Sequence, residues 1–230
     1  MAAERPLILI VDDEPQIRTL LRNTLARAGY SAIEAATARE ALNSRDIDRP
    51  DLVLLDLGLP DRDGIELVTA LGGASGAPVI VVSAREDTDQ KVAALDLGAA
   101  DYVTKPFDTE ELLARIRSAL RSRQATTPIP HLVKAGSVSI DLARRTVEKS
   151  GERVHLTPKE YAVLAELARH SGRVLTHRHL LRSIWGPAQE GQTEYLRVAV
   201  RGLRQKLEAV PSQPRLIINE PAVGYRLIDA

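Results

Sequence analysis

Four charged side chains, far apart in sequence, have the types and settings to do chemistry together. Asp12 and Asp13 end the run LILIVDDE, Asp56 ends DLVLLDL, and Lys105 stands in DYVTKPF. Each follows an apolar, β-branched run, which reads as the C-terminal edge of a parallel strand. Strand–helix alternation stacks such edges side by side, so the four groups converge in one crevice. Three carboxylates brought that close repel one another unless a hard cation shares them. Mg²⁺ suits the set, because it prefers oxygen ligands and keeps waters and phosphate oxygens in its shell. The predicted chemistry is uptake of a phosphoryl group by an aspartate. Asp12 and Asp13 would bind Mg²⁺ directly or through water, and Asp56 would be both ligand and nucleophile. Lys105 supplies a compact cation for the acyl phosphate. Ser83, closing the run 79–82, offers a hydroxyl at the same sheet edge. Taken singly, an Asp-Asp pair reads as a strand-end cap and a Lys-Pro as a surface loop; four strand ends with matching chemistry argue for a site.

The elements that must position these groups follow from periodicity. Strand-like runs fall at 7–11, 31–35, 51–55, 78–82 and 102–104, with helix-period segments at 16–28, 38–44, 64–71, 87–97 and 109–121. Strict alternation of five strands and five helices predicts a parallel sheet covered on both faces, an α/β architecture. The polar, proline-bearing stretch SRQATTPIP then reads as a linker. The predicted organisation is a phosphoacceptor domain over 1–122, a linker over 123–130 and a second domain over 131–230.

The second half is built differently. Short alternating strands are predicted at 137–140, 145–149 and 154–156. A helix opens at Thr157 (N-cap), Pro158 and Glu160, a complete capping box, with Tyr161, Leu164, Ala165 and Ala168 as its buried stripe. Thr176 caps a second helix that stops at Gly186-Pro187. A third is predicted over 193–208, followed by strands at 216–218 and 224–228. Strands, three helices and a closing hairpin predict an α+β winged helix-turn-helix.

A net charge of zero conceals a split. Residues 1–121 hold 14 Lys+Arg against 21 Asp+Glu, a balance of −7, and residues 122–230 hold 17 against 10, a balance of +7. The acidic half suits a cation site and the basic half a polyanion such as nucleic acid. Absence of cysteine excludes disulfides, thiol chemistry and a cysteine zinc site. The five histidines, His177 and His179 among them, show no zinc-site partners and read as surface or capping residues. No apolar stretch reaches the length of a membrane span and the N-terminus lacks a signal-peptide pattern, so the expectation is a cytoplasmic protein with no membrane partner.

The motifs VDDE, LLDLGLPDRDG, VVSA and GAADYVTKPF resemble the receiver domain of bacterial response regulators. That resemblance implies a flavodoxin-like fold of five parallel strands and five helices, with Asp56 phosphorylated from a histidine of a sensor kinase. It assigns Ser83 and Tyr102 as the hydroxyl and aromatic switch residues and Lys105-Pro106 as a pair joined by a cis bond. Phosphate on Asp56 would draw Ser83 to one of its oxygens and let Tyr102 turn inward, altering the face formed by the last helices and strand. By the same resemblance, Lys91–Glu111, Asp101–Arg115 and Asp96–Arg117 are expected to pair across a two-fold in a phosphorylation-dependent homodimer. Ala100 departs from the pattern, standing where an acidic residue is usual.

The segment TEYLRVAVRGLRQKLE carries most of the remaining information. Leu196, Val200, Leu203 and Leu207 form one apolar stripe, and Arg197, Arg201 and Arg204 repeat the spacing one position along. Such a helix can lie in a major groove with arginines toward guanine edges and phosphates. LTPKEYAVLAEL, GRVLTHRHLLRSIWG, YLRVAVRGLRQKLE and VGYRL resemble the effector domain of OmpR/PhoB winged-helix regulators. Within that family, LDLGLPDRDG, LLRSIWGP and YLR followed by LRQKLE are similar to regulators of potassium-transport (Kdp) operons. The resemblance implies promoter DNA, RNA polymerase and a KdpD-like sensor kinase as partners. It makes Arg178 and Arg182 phosphate contacts and sends Arg226 to the backbone or a minor groove. At the wing tip Asn219-Glu220-Pro221-Ala222 replaces the usual arginine-bearing turn.

Two rival readings stay open on the residues alone. An aspartyl phosphatase also uses Mg²⁺ and an Asp nucleophile, but such enzymes place an acid/base Asp two residues on, where this chain has Gly58. A protein-binding adaptor could use its winged helix on a partner instead of DNA; salt-dependent binding to duplex separates the two.

Overall fold

In the computed structural model the chain forms two compact units, residues 1–123 and 124–230. The structure describes residues 5–72, 76–84, 87–124 and 132–228. The first unit runs β1 (Leu7–Val11), α1 (Pro15–Arg27), β2 (Ser31–Ala35), α2 (Ala38–Asp48), β3 (Leu52–Leu55), α3 (Gly64–Gly72), β4 (Val79–Ser83), α4 (Thr88–Asp96), β5 (Asp101–Thr104) and α5 (Thr109–Gln124). All strands are parallel, in the order β2-β1-β3-β4-β5. The inner strands LILIV, LVLL and VIVVS are apolar save for the terminal Ser83, because helices cover both faces of the sheet. On one face Ile8, Ile10, Leu52 and Ile80 pack against Leu112 and Ile116 of α5. Each such burial contributes roughly 1.5–3 kcal/mol relative to exposure. Strand order reverses between β1 and β3, which opens a crevice at their carboxyl ends. Backbone bonds lock the loops there: the Asp56 amide donates to the Val11 carbonyl (2.8 Å) and the Lys105 amide to the Ser83 carbonyl (2.9 Å).

The second unit begins with an antiparallel sheet of β6 (Leu132–Ala135), β7 (Val138–Asp141), β8 (Thr146–Lys149) and β9 (Glu152–Arg153). There follow α6 (Pro158–Arg169), β10 (Val174–Thr176), α7 (His177–Trp185), a 3-10 turn (Pro187–Gln189), α8 (Thr193–Leu207), β11 (Ile217–Glu220) and β12 (Gly224–Leu227). The last three strands pair as β10-β12-β11. The capping box of α6 forms as its sequence demands: the Thr157 hydroxyl accepts from the Glu160 amide, and the Glu160 carboxylate accepts from the Thr157 amide. The helices α6 and α8 approach so closely that a Cβ on Gly202 would stand 2.2 Å from Glu160 Oε1. Buried Glu208 accepts from the amides of Arg215, Leu216 and Ile217 (2.9–3.0 Å), anchoring the passage from α8 into β11.

Several expectations are corrected. The run 154–156 is not a strand; pairing passes through β9, while Val154 and Leu156 pack on the core, so their alternation reported burial. Helix α2 continues to Asp48 beyond the expected 44, and β6 and β10 were not anticipated. At three residues, β10 is too short to show a period, and its partner β12 lies at the far end of the chain. The expected wing tip shrinks, because Asn219 and Glu220 belong to β11. The expected linker 123–130 lies outside the described residues, save for Arg123 and Gln124, which continue α5.

Candidate phosphoryl site and nucleic-acid interface

The strand ends of β1 and β3 deliver Asp12 and Asp56 to the crevice, both buried, with Asp13 exposed at its mouth. Lys105, from the loop after β5, reaches back with its ammonium 2.7 Å from Asp12 Oδ2 and 3.0 Å from Asp56 Oδ2. Glu14 is a third partner at 3.3 Å, a role its position one past the Asp pair did not suggest. Arg18, one turn into α1, donates to the carbonyls of Asp12 and Asp13 (2.7 and 3.1 Å) and pairs with Glu34, so it holds the acidic loop from behind. Gly58 donates its amide to Asp56 Oδ1 at 3.3 Å. The start of α3 rests on the Asp56–Leu57 backbone: a Cβ on Gly64 would lie 2.5 Å from the Leu57 Cα.

Burial works against the Lys105 charge, yet its bonds to Asp12 and Asp56 outweigh that and hold the ammonium above its ordinary value. An ion pair alone would lower its acid, but burial raises the Asp12 carboxyl, with Asp56 adding in the same sense. Burial therefore prevails at Asp12 over the bonds that Lys105 and the Glu14 amide make to it. The oxygens of Asp12, Asp13 and Asp56 lie within 4.8 Å of one another. This all-oxygen set, open to solvent at Asp13, fits Mg²⁺.

The residues expected to switch, Ser83 and Tyr102, lie on adjacent strands β4 and β5. Ser83 and Tyr102 are both buried, so the aromatic ring already lies inward, with the Lys91 ammonium 5.8 Å from its centroid. The Lys105-Pro106 bond is cis. Asp101 and Arg115, expected to meet across a two-fold, already pair within one chain at 2.6 Å, because the first residue of β5 faces the second turn of α5. Arg115 also pairs with Glu111, whereas Asp96 and Arg117 are exposed on α4 and α5.

On α8 the apolar stripe Leu196, Val200, Leu203 and Leu207 is buried as expected. Arg197 and Arg201 are exposed, Arg197 pairing with Glu194. Arg204 turns back: it donates twice to the Ile217 carbonyl (3.2 and 2.7 Å) and stands over the Tyr225 ring, holding the hairpin to the helix. With His177 and Asn219 these arginines line a basic groove between α8 and the hairpin. Tyr195 and Val198 join the exposed face of α8, which the charge stripe alone did not show. Arg178 and Arg182 project from α7 near Glu190. Arg226, expected at the backbone or a minor groove, has a buried side chain paired with Glu220 at 2.5 Å across the hairpin. Trp185, closing α7, stacks on Tyr195 with Lys159 over its ring.

The histidines also depart from expectation. Glu166, His170 and His179 bring their ligand atoms within 4.8 Å of one another. The His179 hydrogen bond holds the Glu166 carboxyl down at about 2.

Comparison with known proteins accords with this geometry. Residues 8–117 match the response regulator receiver domain and 151–227 the C-terminal domain of transcriptional regulatory proteins. The chain is 48% identical to the KDP operon transcriptional regulatory protein KdpE of Escherichia coli, over 96% of this chain and 98% of that protein. It is 47% identical to KdpE of Mycobacterium tuberculosis with the same coverage. Among solved structures it resembles DrrB, an OmpR/PhoB homologue from Thermotoga maritima (TM-score 0.51, 30% identity, covering 98% of this chain and all of that one). Relatives named as transcriptional regulators support a regulator rather than an enzyme. No described helix is long and apolar enough to cross a membrane. Joining a receiver to a winged-helix effector along nearly its whole length, the chain belongs to the OmpR/PhoB family of response regulators.

Proposed function

We propose that this regulator accepts a phosphoryl group on Asp56 from a KdpD-like sensor histidine kinase. The modified chain then pairs with a second copy and binds direct-repeat promoter DNA in the cytoplasm, engaging RNA polymerase at a potassium-transport operon. The observation that carries this reading is the Lys105 ammonium held between Asp12 and Asp56 at a sheet edge. In the transfer, Asp56 Oδ attacks phosphorus, the N–P bond of the kinase phosphohistidine breaks, and its electron pair returns to the imidazole. Asp12, Asp13 and Asp56 would hold Mg²⁺, which would supply the charge neutralisation that the transfer needs. Lys105 then follows the charge onto the new acyl phosphate and Ser83 bonds one of its oxygens. Tyr102 stays inward, and the Asp101–Arg115–Glu111 cluster on the same face becomes available to a partner chain together with Lys91, Asp96 and Arg117. Exposed pairs of this kind set register more than affinity.

On DNA, Arg197 and Arg201 face the groove, Arg178 and Arg182 contact phosphate, and Arg204 supports the hairpin that flanks them. Gly58 in place of an acid/base aspartate argues against phosphatase turnover. The test is labelling by acetyl phosphate followed by footprinting upstream of a potassium-transport operon. Wild type takes up label and protects a repeat only when phosphorylated, and Asp56→Asn does neither. Label persisting on Asp56→Asn, or protection that ignores both sequence and phosphate, sinks the reading.

A further inference from the structure

We propose that Glu166, His170 and His179 form a Zn²⁺ site that ties α6 to α7 in the second unit. Glu166 and His170 stand four residues apart at the C-terminal end of α6, on one face. His179 enters from the first turn of α7, where its amide is fixed by the Thr176 hydroxyl at 3.0 Å. One carboxylate oxygen, Glu166 Oε1, is 2.9 Å from His179 Nε2 and 3.7 Å from His170 Nε2.

Those separations match a metal polyhedron. Zn–N and Zn–O bonds of about 2.0–2.1 Å set the edge of a tetrahedron at about 3.3 Å. The two observed gaps straddle that edge, and the remaining edge, between the imidazoles, is within 4.8 Å. The other oxygen, Glu166 Oε2, is held by Arg169 at 2.9 Å. Outer-shell bonds of this sort orient a ligating carboxylate and leave its free oxygen aimed at the metal. Side-chain exposures of 17% for Glu166, 37% for His170 and 41% for His179 leave a solvent-facing fourth position for water. Two imidazoles and one carboxylate suit Zn²⁺, whereas the all-oxygen crevice of the first unit suits Mg²⁺. The ion needs each Nε2 lone pair, so in the loaded site both rings carry their hydrogen on Nδ1. A Zn²⁺ so placed fixes α6 against the helix that precedes the DNA-facing α8.

The test is calorimetric titration of the full chain with Zn²⁺ after chelator treatment, in saturating Mg²⁺ so that the aspartate crevice is filled. Wild type binds one Zn²⁺ per chain in the micromolar range. His170→Gln and His179→Gln, the latter keeping a polar group beside Glu166, each weaken binding at least about tenfold. His155→Gln and Asp13→Asn leave it unchanged. Co²⁺ in place of Zn²⁺ gives the intense visible absorption of a tetrahedral site, lost in His179→Gln, while far-UV circular dichroism checks that each variant is folded. Equal Zn²⁺ binding by wild type and a folded His170→Gln/His179→Gln double variant overturns the site. So does the absence of binding by wild type, or binding abolished by Asp13→Asn.

Discussion

Replacing Lys105 by Met keeps the length and apolar stem of the side chain and removes its charge. In the wild type that charge makes two short charge-assisted bonds, 2.7 Å to Asp12 and 3.0 Å to Asp56, among side chains only 3–10% exposed. Each such bond contributes about 1.5–3 kcal/mol. The sum is an upper bound, because the stranded carboxylates can recruit water or a proton. A loss near the lower end, about 3 kcal/mol in Mg²⁺-free buffer at neutral pH, corresponds to about 150-fold faster opening of the sheet edge. Amide hydrogen exchange of peptides covering β1 and β3 reads it directly. Two further outcomes are required. Millimolar Mg²⁺ restores most of the protection, since the ion neutralises the same oxygens. The defect also shrinks on acidification: Lys105 lowers the Asp12 carboxyl against burial, so its loss lets burial raise that carboxyl further, and the variant takes up the proton more readily than wild type and regains stability as pH falls. A deficit that is equal with and without Mg²⁺ and flat with pH would refute the reasoning, because it would assign the lysine a packing role.

Gly64→Ala drives a Cβ into the Leu57 backbone, so α3 must shift; denaturation of the first unit should show a cost of about 1–3 kcal/mol, with slower acetyl phosphate labelling. A change within experimental error would mean that α3 yields freely. Arg204→Ala removes two bonds to the Ile217 carbonyl and should destabilise the second unit by about 1.5–3 kcal/mol. Arg201→Ala should leave stability intact and reduce the salt slope of DNA binding by about one, and identical behaviour of the two variants contradicts their separate roles. Burial alone would raise the Glu160 carboxyl, but its bonds to Lys206 and Thr157 outweigh that and lower it below the ordinary 4.5. It therefore contributes stability that is present above 4.5 and lost as pH falls through the folded value. Thermal unfolding of Glu160→Gln between neutral and acid pH should show a weaker pH dependence than wild type.

The phosphoryl site was legible because each of its residues ends an apolar run, and strand ends in an alternating sheet can go to only one edge. Glu14 and Arg18 escaped because their roles depend on a side chain folding back over a turn, which no periodicity encodes. The apolar face of α8 followed from spacing alone. Which arginine stays in solvent did not, since Arg204 and Arg201 differ only in that the Ile217 carbonyl comes within reach of one. The Arg226–Glu220 pair was hidden for a related reason: strand alternation puts Arg226 on a face, but pairing with Glu220 requires knowing where the hairpin turns. Glu166, His170 and His179 lie on two helices whose packing brings them together, so their linear spacing resembles no metal motif.

Trp185 is the only tryptophan in the chain, and it sits where α7 hands over to α8, stacked on Tyr195. The protein therefore carries a built-in optical probe of the helix proposed to meet DNA, needing no attached label. Tyr195 is half exposed on that helix, so duplex settling against α8 alters the surroundings of the indole and its emission. Phosphorylation at Asp56 is remote in sequence and confined to the other unit. An emission change on adding a phosphodonor without DNA would thus measure, in a single cuvette, how much of the input signal crosses between the two halves.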